Sequence, residues 1–350
     1  MGSDLFVAFL VARKYEMHIR LITLGLFSLL MVGCTSSQFL LSVLYNRMDN
    51  IIATEVKEYA DFSAEQKDEI DLFADQYHHW HRTQHLPLYA ELLREVGTHL
   101  QTGKVITSQE VKAWSGLIED YAREMAYCYP LNDSADFLRS LSDEQVQQVL
   151  EHGLEEYEEF LEDRVDFTDE KRNERWYDET RKWFRRMSLR LDDEQKEHLK
   201  DTIAMERRLR GAGMEVWRDW HLEFIDLLGE RDLEDFEMKA NEHIENLWTL
   251  QDDNFPDVFD FNRQLWIDYF TSLGQSLSDD QRESVSSWMA KMATNLDNIS
   301  KLRVNDELRL AANPRTCPNP YERFSGYSEK TSRSLSAQDQ LALESQKIRH

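Results

Sequence analysis

The chain has 350 residues, 41% of them hydrophobic, enough to bury the core of one large domain or two small ones. Its 66 acidic and 41 basic residues leave a formal charge of −25, which argues against a nucleic-acid binder, since that function needs a basic face to displace counterions. Only 12 Gly and 6 Pro argue against sandwiches and barrels, whose many turns consume both.

In chain order, the first informative stretch is Leu21 to Val32, uncharged and apolar or small throughout. A spanning helix needs ~20 such residues, so this run is too short to cross a bilayer. It has the length of a signal-peptide core, with Arg20 as its positive flank. Met31-Val32-Gly33-Cys34 follows, and a small residue before Cys at that place resembles a bacterial lipobox. Residues 1–33 are therefore read as a lipoprotein signal peptide. Met17 is the expected start, because Met17 to Arg20 makes an ordinary short n-region. Cys34 would become the mature N-terminus, carrying palmitate-type acyl chains. By the sorting pattern of the lipoproteins it resembles, Thr35 in place of Asp implies the periplasmic face of the outer membrane. That compartment is oxidising, so Cys128 and Cys317 are a candidate disulfide, with two separate thiols as the alternative.

Beyond the leader the apolar spacing is helical nearly throughout. Helices are expected over about 38–59, 64–84, 88–102, 108–127, 142–165, 169–190, 192–210, 213–228, 231–253, 257–273 and 279–303. Breaks are expected at Pro87, Gly103, Pro130, Gly211 to Gly213, Gly229 and Pro256. The fold class is all-α, an elongated antiparallel bundle of about 10–12 helices. A joint near Pro130 divides it into subdomains 34–130 and 131–305, and 306–350 reads as a disordered tail. Four segments open with an apolar residue, Ser or Asp, two residues and Gln. They are Phe62-Ser63 to Gln66, Leu141-Ser142 to Gln145, Leu191-Asp192 to Gln195 and Leu277-Ser278 to Gln281. In each, Ser or Asp can accept the N3 amide while Gln reaches back to the cap amide. The pattern is similar to a motif repeated in small periplasmic helical chaperones. Glu151 to Asp163 forms an acidic wall and Lys171 to Arg190 a basic one, which predicts an antiparallel hairpin with cross-helix ion pairs.

The sequence holds no Gly-rich phosphate loop, Gly-x-Ser-x-Gly, His-Glu-x-x-His or Cys-x-x-Cys, so neither a nucleotide partner nor a catalytic residue is assigned. Four of the eleven histidines lie within His78 to His85. Asp75, His78, His81 and His85 share one face of a helix, a donor set suited to Zn²⁺ or Cu²⁺. The three imidazoles span ~10 Å of helix, so one ion could meet two of them plus a ligand from elsewhere.

The lipobox, Leu44-Tyr45-Asn46-Arg47-Met48-Asp49, Gln66, Trp80-His81-Arg82 and Leu86-Pro87-Leu88-Tyr89 together resemble an uncharacterised helical lipoprotein family of Gram-negative bacteria. The resemblance covers roughly residues 34–303 and implies an address and a fold, not an activity. The function expected is non-enzymatic: a membrane-anchored periplasmic protein that binds an envelope protein partner or assists assembly, with no cofactor beyond the lipid on Cys34. The alternative is metal binding or sensing through the 75–85 face. Mass spectrometry of the mature protein should find an acylated Cys34 at its N-terminus. Cys34→Ala should leave an unprocessed precursor, and an intact Met31–Cys34 junction in the wild type would refute the anchor.

Overall fold

The computed structural model describes residues 45–127, 134–165, 168–209 and 211–302. These residues belong to one compact unit, Met1–Asn313, and the second unit, Pro314–His350, lies outside them. So do the expected leader, Cys34, Cys128, Cys317, the joint at residues 130–133 and the tail from 306. Among the described residues twelve α-helices follow one another: α1 (Met48–Lys57), α2 (Ala64–Trp80), α3 (Leu86–Gln101), α4 (Ser108–Tyr127), α5 (Ser134–Arg139), α6 (Asp143–Val165), α7 (Asp169–Arg186), α8 (Asp193–Met205), α9 (Gly211–Gly229), α10 (Phe236–Asn254), α11 (Pro256–Ser276) and α12 (Asp279–Ser300). Among the described residues there is no strand. The chain is therefore the all-α helical bundle that its periodicity predicts, with the short α5 as an element not foreseen.

All four expected caps form. Ser63, Ser142, Asp192 and Ser278 each accept the backbone N–H of the Gln three residues on, and each Gln side chain accepts the cap's own N–H. Gln66, Gln145 and Gln195 are buried and Gln281 is half-buried, and the four meet in pairs. Gln66 and Gln145 exchange amide hydrogen bonds at 3.2 and 2.7 Å. Gln195 and Gln281 do the same at 3.2 and 2.9 Å. Each pair also binds the partner's backbone two residues ahead of its cap. Gln66 donates to the Ser140 carbonyl and hydroxyl, and Gln145 to the Asp61 carbonyl. Gln195 donates to the Ser276 carbonyl and hydroxyl, and Gln281 to the Arg190 carbonyl. Each cap thus becomes half of a clasp that fixes two helix starts side by side.

The two clasps expose a duplicated plan. Helices α1 to α6 and α7 to α12 share three of their helix pairings. α1 packs on α2 as α7 packs on α8, α3 on α12 as α9 on α6, and α4 on α11 as α10 on α5. α4 also packs on α10, where the two halves face each other. The middle hairpin of each half crosses into the core of the other. One core takes Ile52, Val56, Ile70, Leu138 and Val149 from the first half, with Trp217, Phe224, Phe236 and Ala240 of α9 and α10 from the second. The other core takes Trp176, Leu199, Leu273 and Leu296 from the second half, with Leu86, Ala90, Leu93 and Leu100 of α3 from the first. The subdomains expected at 34–130 and 131–305 therefore do not match the packing, because each core draws residues from both sides of that joint.

Close approach requires small residues where exchanged helices meet. Ala90, Ala293 and Ser286 are fully buried between α3 and α12, and a Cβ on Gly97 would stand 3.3 Å from that of Met289. On the equivalent seam, a Cβ on Gly153 of α6 would run into the His221 ring of α9. The expected α6–α7 hairpin is a correction. α6 packs on α9 and α7 on α8, and the two lie in different cores. Burial of Val146 and Val149 against α9, and of Trp176 and Phe184 in the other core, outweighs surface ion pairs worth only ~0.2–1 kcal/mol each.

Gln145→Ala should destabilise the fold by about 1–3 kcal/mol, since it strands the Ser142 N–H and the Asp61 carbonyl and removes one partner of the Gln66 amide. A denaturant double-mutant cycle on Gln66 and Gln145 should show coupling of about 0.5–3 kcal/mol, and so should one on Gln195 and Gln281. Simple additivity would mean that the clasps do not act as units.

Candidate functional site

The two halves differ most where the chain crosses between cores. In the second half the crossing is a break. α8 ends at Met205 in extended backbone at Glu206, and Asn262 accepts the Arg207 N–H and donates to its carbonyl. In the first half the helix does not break at Pro87 as expected. It passes from α2 into α3 through a π-helical turn, His81–His85, with the Leu86 N–H bonded to the His81 carbonyl. Proline lacks an N–H and its ring crowds the carbonyl four residues back, so the wider turn accommodates it without ending the helix.

Around this turn lies a run of buried polar side chains, the densest among the described residues. His78, His81, Arg82 and His85 are all buried, as are Tyr45 and Tyr89. The Tyr45 hydroxyl lies 2.8 Å from His81 Nδ1, and the Tyr89 hydroxyl lies 3.4 Å from His81 Nε2. Tyr89 donates to Met125 Sδ, so it accepts from Nε2–H, which leaves Nδ1 to accept from Tyr45. Arg82 in turn hydrogen-bonds Tyr45 and sits over its ring, 5.2 Å from the centroid. Its Nη2 lies 3.2 Å from His78 Nε2, and the other nitrogen of that ring faces Asp49 at 3.9 Å. His85 stacks on His81 at 5.6 Å and meets the face of Trp80 edge-on at 4.4 Å. Its Nε2 is 3.9 Å from Glu124 of α4, and its Nδ1 has no partner.

The electrostatics follow from burial. Desolvation, helped by the Arg82 charge, lowers His78 to about 4, against a smaller opposing pull from Asp49. Desolvation alone takes His85 to about 4. Desolvation, with His85, His78 and Arg82 adding to it, holds His81 well below the usual imidazole range. Burial raises Asp75, and a hydrogen bond and like charge from Asp49 raise it further. Burial and Asp120 raise Glu124. The three rings are thus neutral near pH 7, packed as aromatic and hydrogen-bonding groups.

Asp75, His78, His81 and His85 do not converge on one point. His81 spends both nitrogens on tyrosines, His78 faces Arg82, and Asp75 pairs with Asp49. Among the described residues no group of three or more His, Cys, Asp or Glu is placed to hold a metal ion. The reason is local: the π turn re-aims His85 against His81 and Trp80, and a buried guanidinium occupies the place where a cation would approach His78. Tyr45, Arg82, Tyr89 and Glu124 belong to the cluster, and residue-type spacing does not reveal them. The signal was the motif run itself, since Tyr45-Asn-Arg-Met-Asp49, Trp80-His81-Arg82 and Leu86 to Tyr89 meet here.

A second feature lies at the first clasp. An open groove of about 580 Å³ runs between the starts of α2 and α6, lined by Asp61, Glu65, Glu69, Glu144 and Gln148 among others. Acidic side chains are favourable there because the N-terminal ends of helices are electropositive. Across the chain, then, the fold defines an all-helical protein with a buried histidine–tyrosine crossing and an acidic groove.

The chain belongs to a family of unknown function (DUF6279), whose model matches residues 58–255. That span includes the first clasp's glutamines and the whole His crossing, and it begins after Tyr45 and Asp49. No curated protein and no solved structure matches the chain.

Stability should fall as pH drops from about 7 towards 4. The unfolded chain protonates its histidines near pH ~6.5, while His78, His81 and His85 stay neutral in the fold until lower pH. Asp75 and Glu124 oppose this, since their raised values favour the folded state in acid. The buried His221, also lowered to about 4, and His243 add to the histidine side. His85→Phe should keep the stacking and remove one titration, flattening thermal denaturation curves measured between pH 7 and 4 by up to about 3 kcal/mol. An unchanged pH dependence in this variant would exclude His85 from the acid response.

Proposed function

We propose that the chain is a lipid-anchored periplasmic protein, held on the outer membrane through Cys34, that binds or positions envelope proteins and performs no chemical turnover. The observation that supports this best is the groove at the first clasp. Its exposed carboxylates, Asp61, Glu65, Glu69 and Glu144, stand on two helix starts locked together by Gln66 and Gln145. An open acidic groove suits an extended segment carrying Lys or Arg. The formal charge of −25 adds long-range attraction for such partners. The histidine crossing supports the reading from the other side. Its rings are enclosed by Tyr45, Trp80 and Tyr89, and His81 has both nitrogens on tyrosine hydroxyls, so in this reading the crossing serves the fold and not a substrate. No described helix is long and apolar enough to cross a membrane, so in this reading attachment comes from the lipid on Cys34.

Crosslinking in intact envelopes, followed by affinity capture, should recover at least one protein with a basic exposed segment. Recovery should fall several-fold as salt shortens the Debye length from ~10 Å at 0.1 M to ~3 Å at 1 M. Glu65→Lys with Glu69→Lys and Glu144→Lys should abolish it while leaving the helical content intact. Capture that survives this reversal, or robust turnover on ester, phosphate, peptide or glycoside substrates that one point mutation removes, would overturn the proposal.

A further inference from the structure

The acidic wall of α6 and the basic end of α7 are consecutive in the chain, yet they do not pair within it. On α6, Glu151, Glu155 and Glu158 are exposed, and among the described residues no cation lies within ion-pair distance of them. On α7, Lys182, Arg185 and Arg186 are exposed, as is Arg190 just beyond it. The acids of α7 do not neutralise them, for Glu179 pairs with Arg175 and Asp178 with Arg181. Arg186 instead lies 5.9 Å from the Trp183 ring centroid, and among the described residues Lys182, Arg185, Arg186 and Arg190 have no carboxylate partner. The helix dipole favours cations in the last turn of α7, which accounts for Arg185 and Arg186 but not for Lys182 or Arg190.

A basic strip on a chain of formal charge −25 is surrounded by its own counter-charge in every other copy. We propose that the exposed basic end of α7 docks on the acidic face of α6 in a second copy of this chain. Two features fit that occupant. Both faces carry charges about one helical turn apart, Glu151, Glu155 and Glu158 against Lys182 and Arg186, so the rows match in spacing. The two faces are also joined by the short connection between Val165 and Asp169. In a twofold dimer each face would meet its opposite twice, which is the self-complementary contact that closes a dimer. Glu151 stands one helical turn beyond Gln148 of the groove on α6, whereas Glu155, Glu158 and the α7 residues do not line it. The inference does not rest on that binding role.

The salt dependence is distinctive. Two bodies of charge −25 repel over long distances, and this repulsion is screened first, because the Debye length falls from ~30 Å at 0.01 M to ~10 Å at 0.1 M. Ion pairs at contact distance survive that range and weaken only towards ~3 Å screening at 1 M. Association should therefore peak near 0.1 M salt and fall on either side.

Sedimentation equilibrium of the full chain in density-matched detergent reads this directly. The expected result is a dimer near 0.1 M salt, with dissociation strengthened several-fold at both 0.01 M and 1 M. Lys182→Glu with Arg185→Glu and Arg186→Glu should give a monomer throughout, and so should Glu151→Lys with Glu155→Lys and Glu158→Lys. All six side chains are exposed, and circular dichroism reports whether each variant keeps its helices. Mixing the two variants should restore a one-to-one dimer, which neither can form alone and which requires both to be folded. A monomeric wild type at every salt, dimers that persist in either variant, or no restoration on mixing would each overturn the proposal. So would a strip that fails to self-associate but binds vesicles containing phosphatidylglycerol, since that occupant would be an anionic headgroup. A monomeric wild type with intact envelope capture would sink this inference alone, and capture that survives the Glu65, Glu69 and Glu144 reversal in a chain that still dimerises would sink the other alone.

Discussion

A buried amide must find partners for both its donor and its acceptor, and the two glutamine pairs meet that demand only in one arrangement. Gln66 with Gln145 and Gln195 with Gln281 each satisfy two helix caps, one another, and backbone carbonyls at the partner's loop. Sliding either helix by one residue would leave several of these groups dry. Apolar burial supplies most of the stabilisation of a bundle but tolerates slippage, because Leu and Val contacts are not directional. The clasps supply the direction. They decide which helix starts lie together, and the rest of each six-helix half is hung from them.

From that starting point the exchange of middle hairpins has a mechanical logic. Each half sends two helices into the other's core, so neither core closes without residues from both. Phe224 and Phe236 in one core and Leu199 and Ala293 in the other are wholly buried beside helices from the opposite half. Such interleaving makes the two cores cooperative, since opening one exposes apolar surface that the other half provided. The crossing is also where the duplication is broken. The second half uses an ordinary loop pinned by Asn262, while the first keeps a continuous helix through a π turn and fills it with His78, His81, Arg82 and His85. Neutral imidazoles serve well there, being aromatic enough for the seam with Trp80 and polar enough to satisfy Tyr45 and Tyr89.

Charge acts on a different level. The acidic surface does little for the core. The ion pairs among described residues are mostly exposed or i,i+3 and i,i+4 neighbours, of the kind that contributes only tenths of a kcal/mol. Arg231 is an exception, for it is buried and ties the α6 start to the α9 end through the carbonyls of Leu141 and Leu228. The remaining charge is organised outwards, as a groove of carboxylates at one clasp and as opposite strips on consecutive helices.

By itself the sequence determined the helical class, the four caps and most helix bounds, because these depend on interactions within a few residues: the 3.6-residue apolar period and a side chain bonding an amide three positions away. It also marked 78–85 as unusual. It did not reveal that the caps pair across 79 and 86 residues, that α6 and α7 part company, or that Asp75 and three histidines turn to different partners. Those outcomes were decided by tertiary packing. Opposite charge suggested a hairpin, but apolar area is worth more than exposed ion pairs, so Val149 and Trp176 went to different cores. Helical spacing suggested a common ligand face, but Pro87 imposed a π turn, and Tyr45 and Tyr89, remote in sequence from one another, took both nitrogens of His81. Which groups approach a side chain from elsewhere in the chain is a property of the folded core, and local pattern carries no information about it.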